Sequence, residues 1–377
     1  MIYADHNATS PLRPQARAAM LTALELGANP SSVHGPGRAA RKVVETARRA
    51  VALAIGGRDQ DLVFTSGGTE ANALALQGAI SALSGRCRLL MSAIEHEAVA
   101  KNATELGVPV ERVAVRADGV VDLEGLAARL AGWDAEQDGI PLLALMLANN
   151  ETGVIQPVTE AAALVRAAGG LIHCDAVQGL GKLAVNVGLL QVDYLALSAH
   201  KIGGPQGVGA LWIRSGAPLR GVLKGGGQER ALRSGTENVA GIAGFGAAAE
   251  AALGDLGRFQ ALAVERDRLE ARLQAEAGIT IFGRTADRLA QTTNFALSGF
   301  RSETQIMALD LEGVALSSGA ACSSGKVTKS GVLTAMGVDP ELASCAIRVS
   351  FGWDTPPGVA DQIADRWLRA AARVRRD

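Results

Sequence analysis

Lys201 stands in Ser198-Ala199-His200-Lys201-Ile202-Gly203-Gly204-Pro205, directly after the apolar run Val192 to Leu197. This order predicts a strand that delivers a lysine into a glycine-rich turn. A surface lysine needs no such frame, whereas an amine that must hold an aldehyde as a Schiff base does. Three other segments place a reactive side chain just past an apolar run. Phe64-Thr65-Ser66-Gly67-Gly68-Thr69-Glu70-Ala71-Asn72 runs a strand into a glycine pair and a helix start. Backbone N–H groups, the Thr69 hydroxyl and the helix dipole would favour an anion there. The segment lacks the lysine of a P-loop and the spacing of a dinucleotide fingerprint, so on its own it also reads as a tight turn.

The second segment is His173-Cys174-Asp175-Ala176-Val177-Gln178. A carboxylate closing an apolar strand is costly without a partner. A protonated pyridine nitrogen is one such partner, and the N–H groups of a following helix are the other. The third is Glu95-His96-Glu97, just past Arg88–Ser92. His96 is either an ordinary loop histidine or an imidazole lying on a cofactor ring and moving protons. A phosphate cradle, a carboxylate, an amine and an imidazole at strand ends of one sheet form the set that pyridoxal phosphate requires.

These residues need a scaffold. Apolar runs predict strands at 62–65, 88–92, 110–115, 142–147, 171–174, 192–197 and 208–213, most of them buried on both faces. Helical segments such as 37–54 and 159–168 alternate with them. The pattern is that of a mostly parallel sheet covered by helices, whose sites form at the carboxyl ends of the strands. After about residue 255 it changes. Leu256, Phe259, Leu262, Leu269 and Leu273 mark one apolar helical face, followed by shorter elements. The expected organisation is a large cofactor domain over 15–255 and a small α+β domain over 256–377, with residues 1–14 packing on the latter.

Composition sets the remaining bounds. The 377 residues carry 37 basic and 38 acidic side chains, a net charge of −1, and are 48% hydrophobic. Neither a nucleic-acid nor a membrane surface is expected. Met1-Ile2-Tyr3-Ala4-Asp5-His6 lacks the order of a signal peptide, so a cytoplasmic protein is expected. Cys87, Cys174, Cys322 and Cys345 show no metal-ligand spacing, and no intrinsic metal site is expected. Cys322 differs from the rest because Ser317 to Gly325 are small residues with little to pack. Such a loop is a poor place to bury a thiol and a good place to carry a thiolate to a substrate, although a buried structural cysteine is the other reading.

Motifs in a fixed order now point to a family. They are Tyr3-Ala4-Asp5-His6-Asn7-Ala8-Thr9, Asn29-Pro30-Ser31-Ser32-Val33-His34, Thr65 to Glu70, Asn149-Asn150-Glu151-Thr152-Gly153 and Ser198 to Lys201. Gly225-Gly226-Gly227-Gln228-Glu229-Arg230, Arg233-Ser234-Gly235-Thr236, Ser317 to Gly325 and Ile347-Arg348-Val349-Ser350 continue the series. Over nearly its whole length the chain resembles a cysteine desulfurase of the NifS/IscS type. The resemblance implies a PLP-dependent transferase fold (aspartate aminotransferase-like, type I) of α/β class, with a seven-stranded sheet and a smaller α+β domain. It implies that Lys201 carries pyridoxal 5'-phosphate, that Asp175 pairs with the pyridine nitrogen, and that Gln178 reaches the phenolic oxygen. His96 stacks on the ring; Gly68, Thr69, Ser198 and His200 bind the phosphate. Thr236 reaches the phosphate of the other subunit, which makes the active unit a homodimer. Asn150 and Arg348 hold the substrate carboxylate.

By the same resemblance Cys322 takes sulfur from L-cysteine as a persulfide, leaving L-alanine. It passes the sulfur to an acceptor, typically an iron–sulfur scaffold protein, with which it could ligate a transient cluster. The family often has histidine where Gln228 stands and a basic residue where Gln206 stands. The long stretch Ser317 to Ser330 is similar to that of the scaffold-serving branch. A selenocysteine lyase or an aminotransferase on the same fold would share the cofactor residues and differ in its need for Cys322. A non-catalytic relative would have no reason to keep Lys201, Asp175, His96, Arg348 and Cys322 together.

Overall fold

The computed structural model describes residues 1–318 and 330–374. Its centre is a seven-stranded sheet in the order β2-β8-β7-β6-β5-β3-β4. The strands are β2 (Leu62–Thr65), β3 (Cys87–Ser92), β4 (Val110–Val113), β5 (Ile140–Ala144), β6 (Leu171–Asp175), β7 (Tyr194–Ser198) and β8 (Gly209–Ile213). The pairings from β7 through β6, β5 and β3 to β4 are parallel, and β8 runs antiparallel between β2 and β7. Each expected strand has a counterpart, so the α/β reading stands.

The period-2 alternation explains why these strands are apolar throughout. Leu195 and Leu197 of β7 enter one core with Leu143, Leu145, Val44 and Phe245. Tyr194 and Ala196 of the same strand enter the opposite core with Leu142, Leu74 and Leu76. Helices cover both faces: α1 (Pro14–Leu24) and α2 (Gly35–Leu53) pack with the helix Val239–Gly254, while α3 (Gly68–Ala82) and α4 (Glu97–Thr104) lie together. Each fully buried leucine contributes roughly 1.5–3 kcal/mol, which explains why so little polar residue survives in the sheet.

Two expectations need correction. The 110–115 strand ends earlier, at Val113. β4 is the edge strand, and among its residues only Val113 is buried. Glu111 there accepts from Arg88 at 2.8 Å and from Arg129 at 2.9 Å, and charge on an edge discourages further strand pairing. The 142–147 strand ends earlier, at Ala144. Leu145 and Leu147 still donate to His173 and Asp175 at 3.0 and 2.9 Å, but they have lost their partner on the β3 side.

A second sheet has the order β12-β13-β10-β9, from β9 (Thr280–Ile281), β10 (Thr292–Ala296), β12 (Ser317–Ser318) and β13 (Ala346–Ser350). Its core gathers Leu269, Leu273, Phe295, Phe300 and Trp367, and the Trp367 indole donates to Gln305 Oε1 at 2.8 Å. The apolar helical face after residue 255 is carried by two helices, Leu256–Ala261 and Ala263–Ala277, which meet at Leu262. At the N-terminus, β1 (Ile2–Tyr3) pairs in parallel with β11 (Val314–Ala315), and Asp5 bridges to Ser350. Among the described residues no single helix is long and apolar enough to cross a membrane.

Candidate active site

A cavity of about 220 Å³ opens where β2, β6 and β7 end. Of the residues singled out from sequence, Gly68, Thr69, His96, Asp175, Gln178 and Lys201 line it. So do Ser198, His200, Asn150 and Arg348. Thr236 does not; it is exposed between Ser234 and Asn238. Cys322 lies outside the described residues.

The backbone explains how Lys201 arrives. β7 ends at Ser198, and a single turn of 3-10 helix, Ala199–Ile202, carries the lysine to the cavity wall. The turn closes on Gly203 at φ +78°, where a Cβ would also lie 2.6 Å from Arg13 Cγ. Lys201 Nζ donates to the carbonyls of Asn7 and Ala8, both at 2.7 Å. On the opposite side α3 begins at Gly68 after Gly67, and no side chain caps it. A Cβ on Gly68 would meet Val177 Cγ2 at 2.7 Å, so the glycine lets the helix start approach the end of β6.

Asp175 is held from two directions. Oδ1 accepts from Val177 N at 2.9 Å and Oδ2 from Asn72 Nδ2 at 2.7 Å. The residues after Asp175 form a turn and no helix, so the helix-cap reading is replaced by a cap on that turn. Asn72 in turn meets His173 Nε2 through Oδ1 at 2.8 Å. Since that oxygen only accepts, Nε2 carries the proton and His173 is the Nε2–H tautomer. Burial pushes His173 down to about 4, so the imidazole is neutral at ordinary pH. His96 Nδ1 accepts the Ala98 N–H at 3.0 Å, which caps α4 and fixes the ring beside the cavity.

Electrostatics here are governed by burial and by clustered cations. His200, with Nδ1 3.2 Å from Thr9 Oγ1, is pushed down to about 4 by burial, then by Lys201 and Lys182. Burial holds the Lys182 amine well below the ordinary lysine value, with Lys201 and Arg348 adding to the effect. Lys182 Nζ donates to Gln178 Oε1, and Gln178 Nε2 donates to Asn7 O at 2.9 Å. Glu95 accepts from Met146 N at 2.7 Å, yet burial first and Asp175 second raise its carboxyl to about 8. Glu151 is raised to about 7 by burial, against the opposing pull of Ser330, Arg348 and His96.

Several site residues had no assigned role in the sequence reading: Asp5, Asn7, Asn72, Lys182 and Glu95. Asp5 and Asn7 fall inside a motif used only to mark kinship. Asn72 and Lys182 sit three and seven residues past Thr69 and Asp175, and helical or turn spacing toward those anchors was the available signal.

The donor set fits pyridoxal phosphate. An open helix start beside Ser198 suits a phosphate. A carboxylate already holding two N–H groups keeps lone pairs for a pyridinium nitrogen. An amine stands on the next strand end, and the Arg348 guanidinium on the same cavity favours an anionic ligand.

The chain matches the family model described as Aminotransferase class-V over residues 2–357. It is 44% identical over 327 residues to a cysteine desulfurase of Cereibacter sphaeroides, covering 85% of this chain and 82% of that one. It is 39% identical to the cysteine desulfurase IscS of Dictyoglomus turgidum, covering 93% and 89%. Among solved structures it superposes on a NifS-like protein with a TM-score of 0.90 at 34% identity, covering 99% of both chains. For a NifS-like protein from Rickettsia africae the TM-score is 0.89 at 31% identity, covering all of both.

Proposed function

This chain belongs to the aminotransferase class-V family and, within it, to the cysteine desulfurases, and from that premise we propose how its residues carry out the reaction. The observation that carries the reading is the convergence of Lys201, Asp175 and Arg348 on one cavity. Pyridoxal phosphate, when bound, supplies the electron sink that acidifies Cα of the substrate and lets its Cβ–S bond break. Lys201 would anchor it, Asp175 would pair with its pyridine nitrogen and Gln178 would reach its phenolic oxygen. His96 would stack on the ring, and Gly68, Thr69, Ser198 and His200 would hold the phosphate.

L-Cysteine enters with its carboxylate on Arg348 and Asn150. Lys201 Nζ takes the proton from Cα. The Cys322 thiolate then forms an S–S bond to the substrate sulfur as the Cβ–S bond breaks. The bond's electron pair stays with the carbon frame, which is protonated to L-alanine. The balance is L-cysteine plus the Cys322 thiol giving L-alanine plus the Cys322 persulfide, with no external oxidant. The persulfide serves a sulfur-acceptor protein; the likeness to an IscS supports an iron–sulfur scaffold as that acceptor. We read the working unit as a homodimer, because exposed Thr236 does not line its own cavity and would suit the partner's phosphate.

The test is mass spectrometry of the protein after exposure to L-cysteine, with alanine assayed in parallel. The peptide carrying Cys322 should gain the mass of one sulfur atom, and Cys322→Ala should lose both that gain and turnover. Full turnover in Cys322→Ala, or a keto acid formed in place of alanine, would refute the reading.

A further inference from the structure

Arg348 is 1% exposed, and its guanidinium is only partly satisfied. Nη1 donates to Asn150 O at 3.0 Å and Nη2 to Asp5 Oδ1 at 2.7 Å. Nε is buried and has no partner among the described residues. A guanidinium offers five N–H groups in a rigid fork, and Arg348 lines the cavity with only two of them matched among the described residues, so it can take a second acceptor there. Asp5 cannot easily swing away from Nη2. Its backbone bridges to Ser350, two residues beyond Arg348 on β13, and the next residue, His6, donates from N to Ser350 O at 3.2 Å. Tyr3 Oη adds a bond to Asp5 O at 3.3 Å.

We infer that Asp5 is a resident carboxylate that holds Arg348 through one N–H and, by repelling a second carboxylate at the unmatched N–H groups, sets how tightly the site takes its substrate. The arginine keeps its position and its charge balance when no substrate is present. The incoming carboxylate gains the unmatched N–H groups but shares the cation with Asp5. Affinity is thereby held down, and release of the product carboxylate is eased. This rests on Arg348 being the carboxylate site of the proposed desulfurase.

Two substitutions separate charge from position. Asp5→Asn keeps the accepting oxygen and removes only the charge, so a carboxylate ligand should bind at least about tenfold more tightly, since two unit charges a few ångströms apart at a half-buried site repel by more than the tenfold equivalent. Asp5→Glu keeps the charge and pushes it toward the unmatched N–H groups, so the same ligand should bind more weakly. The probes are L-alanine and L-alaninamide titrated calorimetrically into the holoenzymes, with KM and kcat for L-cysteine measured beside them. The shifts should be confined to L-alanine and to KM, leaving L-alaninamide and kcat in place. If Asp5→Asn binds L-alanine no better than the parent, or if both ligands shift together, the inference falls. If Asp5→Asn does not fold, Asp5→Glu decides, and parental L-alanine affinity there overturns the idea. A parent enzyme that fails to prefer L-alanine over L-alaninamide would instead remove Arg348 from carboxylate binding, and the inference with it.

Discussion

Asn72→Ala should damage the site without touching any group that meets substrate. Asn72 is 1% exposed and bridges His173 Nε2 to Asp175 Oδ2 at 2.8 and 2.7 Å. Truncation leaves the His173 Nε2–H without an acceptor on a side chain whose Nδ1 already has no partner among the described residues. An orphaned buried donor costs roughly 1–3 kcal/mol, and a lost hydrogen bond to a carboxylate roughly 1.5–3 kcal/mol. Water reaching the vacated cavity wall offsets part of this, so a net loss of about 3 kcal/mol is expected. Thermal and urea unfolding of the cofactor-free protein measure it.

The mechanism is checked by a double-mutant cycle with His173→Leu. A leucine needs no acceptor, so the Asn72→Ala cost should fall by about 1–2 kcal/mol in that background. Cofactor affinity, followed by absorbance, should drop at least about tenfold in Asn72→Ala because Asp175 loses the contact that aims it. An Asn72→Ala cost that is the same with and without His173 would refute the relay. Unchanged cofactor affinity would show that Val177 N alone orients Asp175.

Other outcomes follow from buried charge. His173 is held at about 4 against an ordinary value near 6.5, so the unfolded chain binds its proton first and stability is lost as pH falls from about 6.5 to about 4. His173→Leu should therefore flatten the acid arm of the stability curve by about 3 kcal/mol, measured by urea midpoints across that window. Glu95, raised to about 8, has the opposite sign: its contribution is present below about 4.5 and is lost as pH rises toward 8. Glu95→Gln retains the acceptor for Met146 N, so it should stabilise the cofactor-free protein by about 3 kcal/mol at pH 7 and by almost nothing at pH 4; a gain independent of pH would contradict the assignment. Glu229 forms a bidentate buried pair with Arg48, both bonds at 2.7 Å, and takes the Phe64 N–H at 2.9 Å. Glu229→Ala should cost about 3–5 kcal/mol in unfolding experiments, because it leaves the buried Arg48 with only the more exposed Glu45 at 3.2 Å and the Phe64 N–H without its acceptor.

The sheet was legible in the sequence because burial on both faces writes itself as an unbroken apolar run. β2 is marked residue for residue, and β6, β7 and β8 to within two residues. The edge strand misled for the complementary reason. Val110 and Val113 look like core, but with one neighbour missing, Val110 and Arg112 are exposed, Glu111 is half-buried among its arginine partners, and only Val113 is buried. The break at Leu262 was invisible because the apolar face of 256–273 keeps its period across it and Leu262 itself stays in the helical region, at φ −63° and ψ −15°.

The site divides along the same physical line. Lys201, Asp175, His96 and Gly68 each sit at the end of an element, where a local pattern announces that something other than packing is required. Asp5, Asn7 and Asn72 act through partners far away in the chain. Asp5 meets Arg348 across 343 residues, Asn7 meets Thr292 across 285, and Asn72 meets Asp175 across 103. No window of sequence contains both halves of such a pair, so the carboxylate of Asp5 reads as an ordinary surface acid. The N-terminal segment shows what this hides. Its Asn7 carbonyl accepts from both Lys201 Nζ and Gln178 Nε2, its Asn7 side chain reaches Thr292 on β10, and Asp5 bonds Arg348 on β13. One short stretch thus ties the amine on the large sheet to the guanidinium on the small one. The spacing between the Lys201 amine and the Arg348 guanidinium, which the proposed reaction needs, is set there by residues whose own chemistry is unremarkable, and not by the strand ends that supply the reactive groups.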